Sequence, residues 1–159
     1  DFGDLLDDMR PYEQLIAKRQ VAGVMLAHIV YAEMDPVPAG FSRYWIHEQL
    51  RVGLGFDGAV FSDDLSMRAT RQFGSMPERA QLALEAGCDM VLICNDRDAA
   101  RRTVSMLADY SNPLSLVRLA RLHGTGHVLR ETLLAGDEWQ AAAEALQHGI
   151  EPPALTLDA

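Results

Sequence analysis

Three stretches of the chain are almost continuously apolar: residues 21–29, 58–63 and 88–94. A strand with one wet face would alternate apolar and polar positions. Short unbroken apolar runs are what parallel strands buried on both faces require. The segments between them change period. Ser42 can cap a helix over 43–52, where Trp45, Ile46 and Leu50 make an apolar stripe. Ser75-Met76-Pro77-Glu78 has capping-box spacing with proline in the first turn. That helix runs to about Ala86, and Gly87 supplies the left-handed residue that stops it. Further on, Asp96 or Asn95 can cap a helix through Met106. Ser115 can start another that carries Leu116, Leu119, Leu122 and Leu129, broken by Gly124 and Gly126. Asp137 can cap a last helix over 138–148, and Glu151-Pro152-Pro153-Ala154 reads as a loose tail.

Strand starts recur roughly every 30 to 40 residues, room for one strand, one helix and two loops, so the pattern is repeated βα units with right-handed crossovers. Three such strands followed by helices fit the end of a (β/α)₈ barrel, which needs eight strands and about 250 residues. The chain has 159. The expected fold is therefore α/β, the C-terminal part of a TIM barrel: about three parallel strands with flanking helices, then a helical C-terminal segment. Residues 1–150 would form that half barrel and 151–159 the tail. A smaller three-layer α/β domain is the alternative.

Charge narrows the partners. The net charge of −9 repels nucleic acid and anionic membrane surfaces. No stretch approaches the roughly 20 apolar residues of a membrane span, and Asp1-Phe2-Gly3-Asp4 lacks the basic start of a signal peptide. A cytoplasmic protein is expected. Cys88 and Cys94 flank the third apolar run. On a strand they would lie about 20 Å apart, beyond the limit of about 7 Å for a disulfide. Both are expected as reduced core residues.

The chemistry concentrates where the second strand ends, in Ser62-Asp63-Asp64-Leu65-Ser66. In a barrel the C-terminal strand ends form the active-site face. Adjacent carboxylates there oppose each other's ionisation unless one is used or well paired. Alternation sends Asp63 to the side of Phe61 and Ala59, and Asp64 to the side of Ser62 and Val60. Only one can face the mouth, and alternation alone does not say which; a helix cap or loop acid is the structural alternative. His28 at the end of the first strand and Met25 within it are candidate substrate-binding residues. For His28 the alternative is a buried, hydrogen-bonded structural role, and for Met25, on the opposite strand face, core packing. His123 and His127 have i,i+4 spacing, but no third ligand accompanies them and glycines interrupt the helix, so no metal site is expected. Asn95 could reach a ligand or cap the next helix. Asp57 and Asp89 stand at strand starts, the end of a barrel that serves stability.

The run Gly55-Phe56-Asp57-Gly58-Ala59-Val60-Phe61-Ser62-Asp63-Asp64-Leu65-Ser66-Met67 resembles the nucleophile motif of the bacterial β-N-acetylglucosaminidases of glycoside hydrolase family 3. Other segments are similar to that family in the same order. They are Asp7 to Tyr12 (D-x-x-P-[FY], the start of a helix), Val24 to Ile29 (VMxAH), Asp35 to Ser42 (D-x-x-PA-x-x-S) and Ala86 to Asn95 (the last barrel strand). The resemblance implies retaining hydrolysis of terminal β-linked N-acetylglucosamine from cell-wall muropeptides during peptidoglycan recycling. Asp63 would be the nucleophile, forming a glycosyl-enzyme. It implies no metal or redox cofactor. It also implies a His–Asp acid/base dyad on a KHFPGHG-like loop and an upstream arginine and aspartate, none of which occurs here. The implied partners are a carbohydrate substrate and either a missing N-terminal half or self-association. A non-catalytic α/β module and one half of a split enzyme are the other readings.

Overall fold

The structure, a computed structural model, describes residues 2–124, 126, 128–147 and 149. Two compact units emerge, one ending at His123 and one beginning at Gly124. In the first, strands β1 (Gly23–Leu26), β2 (Ala59–Asp64) and β3 (Met90–Leu92) form one sheet in the order β1–β2–β3. Both pairings are parallel, as the unbroken apolar runs predict. Gly23 to Leu26 face Ala59 to Ser62 in register.

The first and third strands are shorter than their apolar runs because other partners take the backbone beyond them. After Leu26 the chain is bonded by its own returning loop: Gly40 N–H donates to the Ala27 carbonyl at 3.3 Å and Ala39 N–H to Ile29 at 2.9 Å. His28 therefore sits in a loop and not on the strand. At the far end of β3, the Cys94 N–H goes to a side chain, described below.

Helix α1 (Phe2–Ala17) precedes the sheet and contains Pro11 in its interior. The Asp7 to Tyr12 motif thus lies within a helix already under way and does not begin one. Between β1 and β2 runs a π-helix, Tyr44–Gly53, in place of the α-helix expected over 43–52. Its wider turn shows where Leu54 N–H reaches back five residues to the Gln49 carbonyl at 2.9 Å. The apolar stripe is as expected: Trp45, Ile46 and Leu50 are all buried.

Helix α2 (Met76–Ala86) follows β2 and a short 3₁₀ turn, Arg68–Phe73. Its start is the capping pair foreseen, with Ser75 N–H and Oγ both bonding Glu78 Oε2, at 2.7 and 2.6 Å. Its end is Gly87 in the left-handed region at φ 119°. Helix α3 (Arg97–Met106) is capped by Asp96, whose Oδ1 accepts the Ala99 N–H at 2.8 Å; Asn95 does not cap it. Helix α4 is Pro113–Ala120. Its cap is Asn112, accepting from Leu114 and Ser115 N–H, and not Ser115 as expected. Ser115 is buried and its hydroxyl turns to Asp89 at 2.6 Å.

Helices and sheet share one core, built on Ile46, Leu50, Phe56, Val60, Leu65, Ala80, Ala83 and Cys88. Val60 projects from β2 into it, whereas Phe61 lies on the opposite sheet face, in register with Met25 and Met90. That second face is open: Met25 is 53% exposed and Met90 43%. Cys88 lies in the core, where burial first and the neighbouring Asp89 second push its thiol up to about 12. Cys94 is only half buried, and both cysteines are free. Its place at a strand end accounts for that departure from the expected core position.

The leucine-bearing helix expected from Ser115, broken by Gly124 and Gly126, ends at Ala120 before either glycine; in the second unit α5 (Arg130–Ala135) starts after Leu129, and α6 (Asp137–Gln147) follows it through Gly136. Asp137 is the first residue of α6 and does not precede it. His127, His148 and the 151–154 segment lie outside the described residues. Among the described residues no helix is long and apolar enough to cross a membrane.

Candidate active site

The site is built where β2 ends beside β3, and a register shift shapes it. Phe61 pairs with Met90 but Asp64 with Leu92, so three steps on β2 meet two on β3. Such bulges re-aim side chains and recur beside active sites. The Ser62 hydroxyl fills the gap by accepting the Leu92 N–H at 3.1 Å. Ser62 is fully buried, so this bond replaces a ladder bond that water could not supply.

Past the shift the two aspartates separate in role. Asp64 Oδ1 accepts N–H groups from Ser66 at 2.8 Å and Cys94 at 2.9 Å, and Oδ2 accepts the Ser66 hydroxyl at 2.5 Å. Burial pushes its pKa up, but the bonds from Ser66 and Cys94 outweigh that, and the carboxyl ends below its ordinary value. Asp64 is thereby committed to joining β2, its following turn and the end of β3. Asp63 accepts one bond, from the Asp64 N–H to Oδ1 at 2.7 Å, and Oδ2 has no partner among the described residues. Strand alternation puts Asp63 on the open face with Phe61, half exposed.

The backbone after the pair is held by residues the motifs did not single out. Thr70, fully buried, donates its hydroxyl toward the carbonyls of Leu65 and Met67, both at 2.8 Å. Arg79 reaches from α2 to the Leu65 carbonyl at 3.0 Å and to Gly74 at 2.8 Å. These contacts span up to 14 residues, which is why pattern reading passes over them. The remaining strand ends are close by: Cys94 feels the charges of both Asp64 and Asp63, after burial, and all three raise its thiol pKa. Asn95, next along, adopts φ 61°, a left-handed conformation that asparagine tolerates better than most side chains.

The two other candidates fall on different sides. Met25 pairs with Phe61 and so lies on the face of Asp63, exposed and unpacked. His28 stacks on Phe41 with ring centroids 5.3 Å apart, and both ring nitrogens are buried without a partner among the described residues. Its loop is fixed by Asp35, which accepts the Val37 N–H at 3.1 Å and the Ser42 hydroxyl at 2.5 Å. Ser42 in turn accepts the Trp45 N–H at 3.1 Å, so this Asp-to-Ser motif ties the loop to the first turn of the π-helix. Among the described residues no group of three or more His, Cys, Asp or Glu side chains is arranged to hold a metal.

A parallel sheet with helices on one face and an acid at a strand's C-terminal end is the arrangement of one sector of a (β/α)₈ barrel. Comparison with known proteins gives the class a family. Residues 6–121 match the model of the glycosyl hydrolase family 3 N terminal domain. The chain is 45% identical over 155 residues to a Beta-hexosaminidase of Thioalkalivibrio sulfidiphilus, covering 98% of this chain and 44% of the relative. A Beta-hexosaminidase of Alkalilimnicola ehrlichii is 50% identical over 117 residues, 74% of this chain and 33% of the relative. The crystal structure of NagZ from Neisseria gonorrhoeae in complex with N-trifluoroacetyl-D-glucosamine superposes with a TM-score of 0.66 at 34% identity, covering 87% of this chain and 41% of that one. The chain belongs to glycosyl hydrolase family 3. It spans less than half the length of the relatives it matches.

Proposed function

We propose that residues 1–150 are the later half of a family 3 barrel and carry the nucleophile of a retaining β-N-acetylhexosaminidase. The observation that carries this reading is the asymmetry at the end of β2. Asp64 is bonded on both oxygens, while Asp63 keeps one oxygen free on the open sheet face. A free carboxylate oxygen is what attack on an anomeric carbon needs, and the Asp64 N–H bond to the other oxygen fixes the direction of attack. Asp63 forms the glycosyl-enzyme; an acid/base from outside these 159 residues protonates the leaving oxygen and then activates water. The substrate is a terminal β-linked N-acetylglucosaminide, a muropeptide in the cytoplasm. The N-acetylglucosaminide draws support from the named relatives and from the N-acylated glucosamine in complex with the Neisseria protein, whereas the muropeptide and the cytoplasm rest on the sequence resemblance alone. Met25, exposed on the same face as Asp63, contributes apolar surface to the floor beneath the sugar. His28 stands in the loop after β1 at the rim, where the sequence resemblance implies a sugar-site residue, with its ring packed on Phe41.

A second reading, one half of a split enzyme, draws support from the open face around Met25 and Met90 and from the free side of β1. Both readings meet one experiment: hydrolysis of a chromogenic β-N-acetylglucosaminide by the purified chain, alone and with the family's upstream half supplied. The expected result is no turnover alone, turnover on addition, and its loss in Asp63→Ala. Equal turnover by Asp63→Ala and the unaltered protein sinks the nucleophile assignment.

A further inference from the structure

The end of the sheet opposite Asp63 carries a different chemistry. A cleft of about 610 Å³ opens there, between the end of α1, the approach to β1, the turn before β2 and the end of α4. Its size falls in the range of small-molecule sites, roughly 300–1,000 Å³. Arg19, Arg118 and Arg121 line it, against the single carboxylate of Asp57. Behind it lie Arg51 and Asp89, so four guanidiniums meet two carboxylates, a local positive excess on a chain of net charge −9.

The hydrogen bonds show which donors are engaged. Arg51 turns away from the opening, with Nη1 on the carbonyls of Phe56 and Gly58 and Nη2 on Asp89. Arg118 bonds Asp57 through Nε at 3.5 Å and Asp89 through Nη1 at 3.2 Å. Arg121 uses Nη1 alone, on the carbonyl and carboxylate of Asp57. Nη2 of Arg118, Nε and Nη2 of Arg121, and the whole guanidinium of Arg19 have no partner among the described residues. Arg19 is held in place by its backbone, which takes φ 54° as α1 ends, with Gln20 N–H bonded back to Leu15 at 2.9 Å. A guanidinium is always charged and presents its donors as a planar fork suited to oxyanions. Structural pairing accounts for Arg51 and for part of Arg118, but it leaves these donors around an open cleft.

We propose that this cleft is a binding site for a small oxyanion, a phosphate ester or a carboxylate, separate from the site at Asp63. Asp57 sets the spacing of Arg118 and Arg121, and Arg19 closes the third side. Because every lining residue belongs to the first unit, the site is present in the chain as it stands.

The test is calorimetric titration of the 159-residue chain with inorganic phosphate and, separately, citrate, each against sodium chloride at matched ionic strength. Saturable binding of phosphate alone assigns a phosphate ligand, of citrate alone a carboxylate, and of both an unselective oxyanion site. Arg19→Gln and Arg121→Ala each weaken binding about tenfold, a loss of about 1.4 kcal/mol, while Asp63→Ala binds as the unaltered chain does. Arg121→Ala also frees Asp57, so Arg19→Gln, which breaks no described contact, is the decisive variant if the other unfolds. No saturable binding of either anion, or an unchanged affinity in Arg19→Gln, overturns the proposal.

Discussion

At the scale of single residues, the two neighbouring aspartates show how one sequence motif holds two jobs. Asp64 serves the fold. Replacing it with alanine leaves the half-buried end of β3 with an unpaired Cys94 N–H and frees Ser66, so Asp64→Ala should cost about 1–3 kcal/mol. Asp63→Ala removes only a bond to its own neighbour's N–H and should shift stability by about 0.5 kcal/mol or less. Urea unfolding of both variants checks this, and a larger loss for Asp63→Ala would reverse the assignment of roles. Part of the contrast was legible: Asp64 and Ser66 stand two apart, the spacing of a local side-chain turn. The rest was not, because the deciding donor, Cys94 N–H, lies 30 residues away. Alternation alone therefore left the choice between the two acids open, and resemblance to family 3 had to make it.

At the scale of elements, the features read correctly were set by adjacent residues, and most of those missed were set by distant ones. The second helix has its whole definition in sequence, from Ser75 and Glu78 at one end to Gly87 at the other. Gly87 is required twice over. It holds φ 119°, and a Cβ there would sit 2.9 Å from Ile46 Cγ2 in the core. Gly87→Ala should destabilise the protein by about 1–2 kcal/mol from the left-handed conformation alone, with the clash adding to it. A thermal melt that is unchanged would refute this. Ser115 shows the opposite case. It looked like a helix cap, but Asn112 before Pro113 holds that position, and Ser115 is claimed by Asp89 from 26 residues back. Likewise, an apolar stripe tells that Trp45, Ile46 and Leu50 face the core, but not whether the helix turns as α or π. The three parallel strands were legible because burial on both faces writes itself into composition. Their ends were not, since the loop carrying Ala39 and Gly40 takes the backbone beyond Leu26.

At the scale of the whole molecule, the two ends of the sheet answer to pH and to partners in different ways. Asp89 is 1% exposed at its side chain and is bonded by Ser115, Val60 N–H, Arg51 and Arg118. Burial raises its pKa, but those bonds prevail and hold it below the ordinary 3.8. Arg51 moves down too, through burial first and Arg118 second against the pull of Asp89, yet a guanidinium stays charged throughout the working range. The pairing therefore stabilises fully above pH about 4 and is lost as pH falls through the depressed Asp89 value. Asp89→Asn should cost about 3–5 kcal/mol at neutral pH, because it leaves buried guanidiniums short of charge. It should also flatten the acid limb of a stability-against-pH curve. The open face and the β1 edge ask for a partner. Among the described residues β1 is bonded only to β2, and Met25 and Met90 stand 53% and 43% exposed on either side of Phe61. An unpaired strand edge beside an apolar face is a template for association. The chain alone should accordingly self-associate with rising concentration, as light scattering coupled to gel filtration would show. A charged residue at Met25 should reduce that association without loosening the core on the other face of the sheet. If the chain stays monomeric at all concentrations and unfolds in one sharp transition, then the open face needs no completing half. The reading of a non-catalytic α/β module would then displace the half barrel.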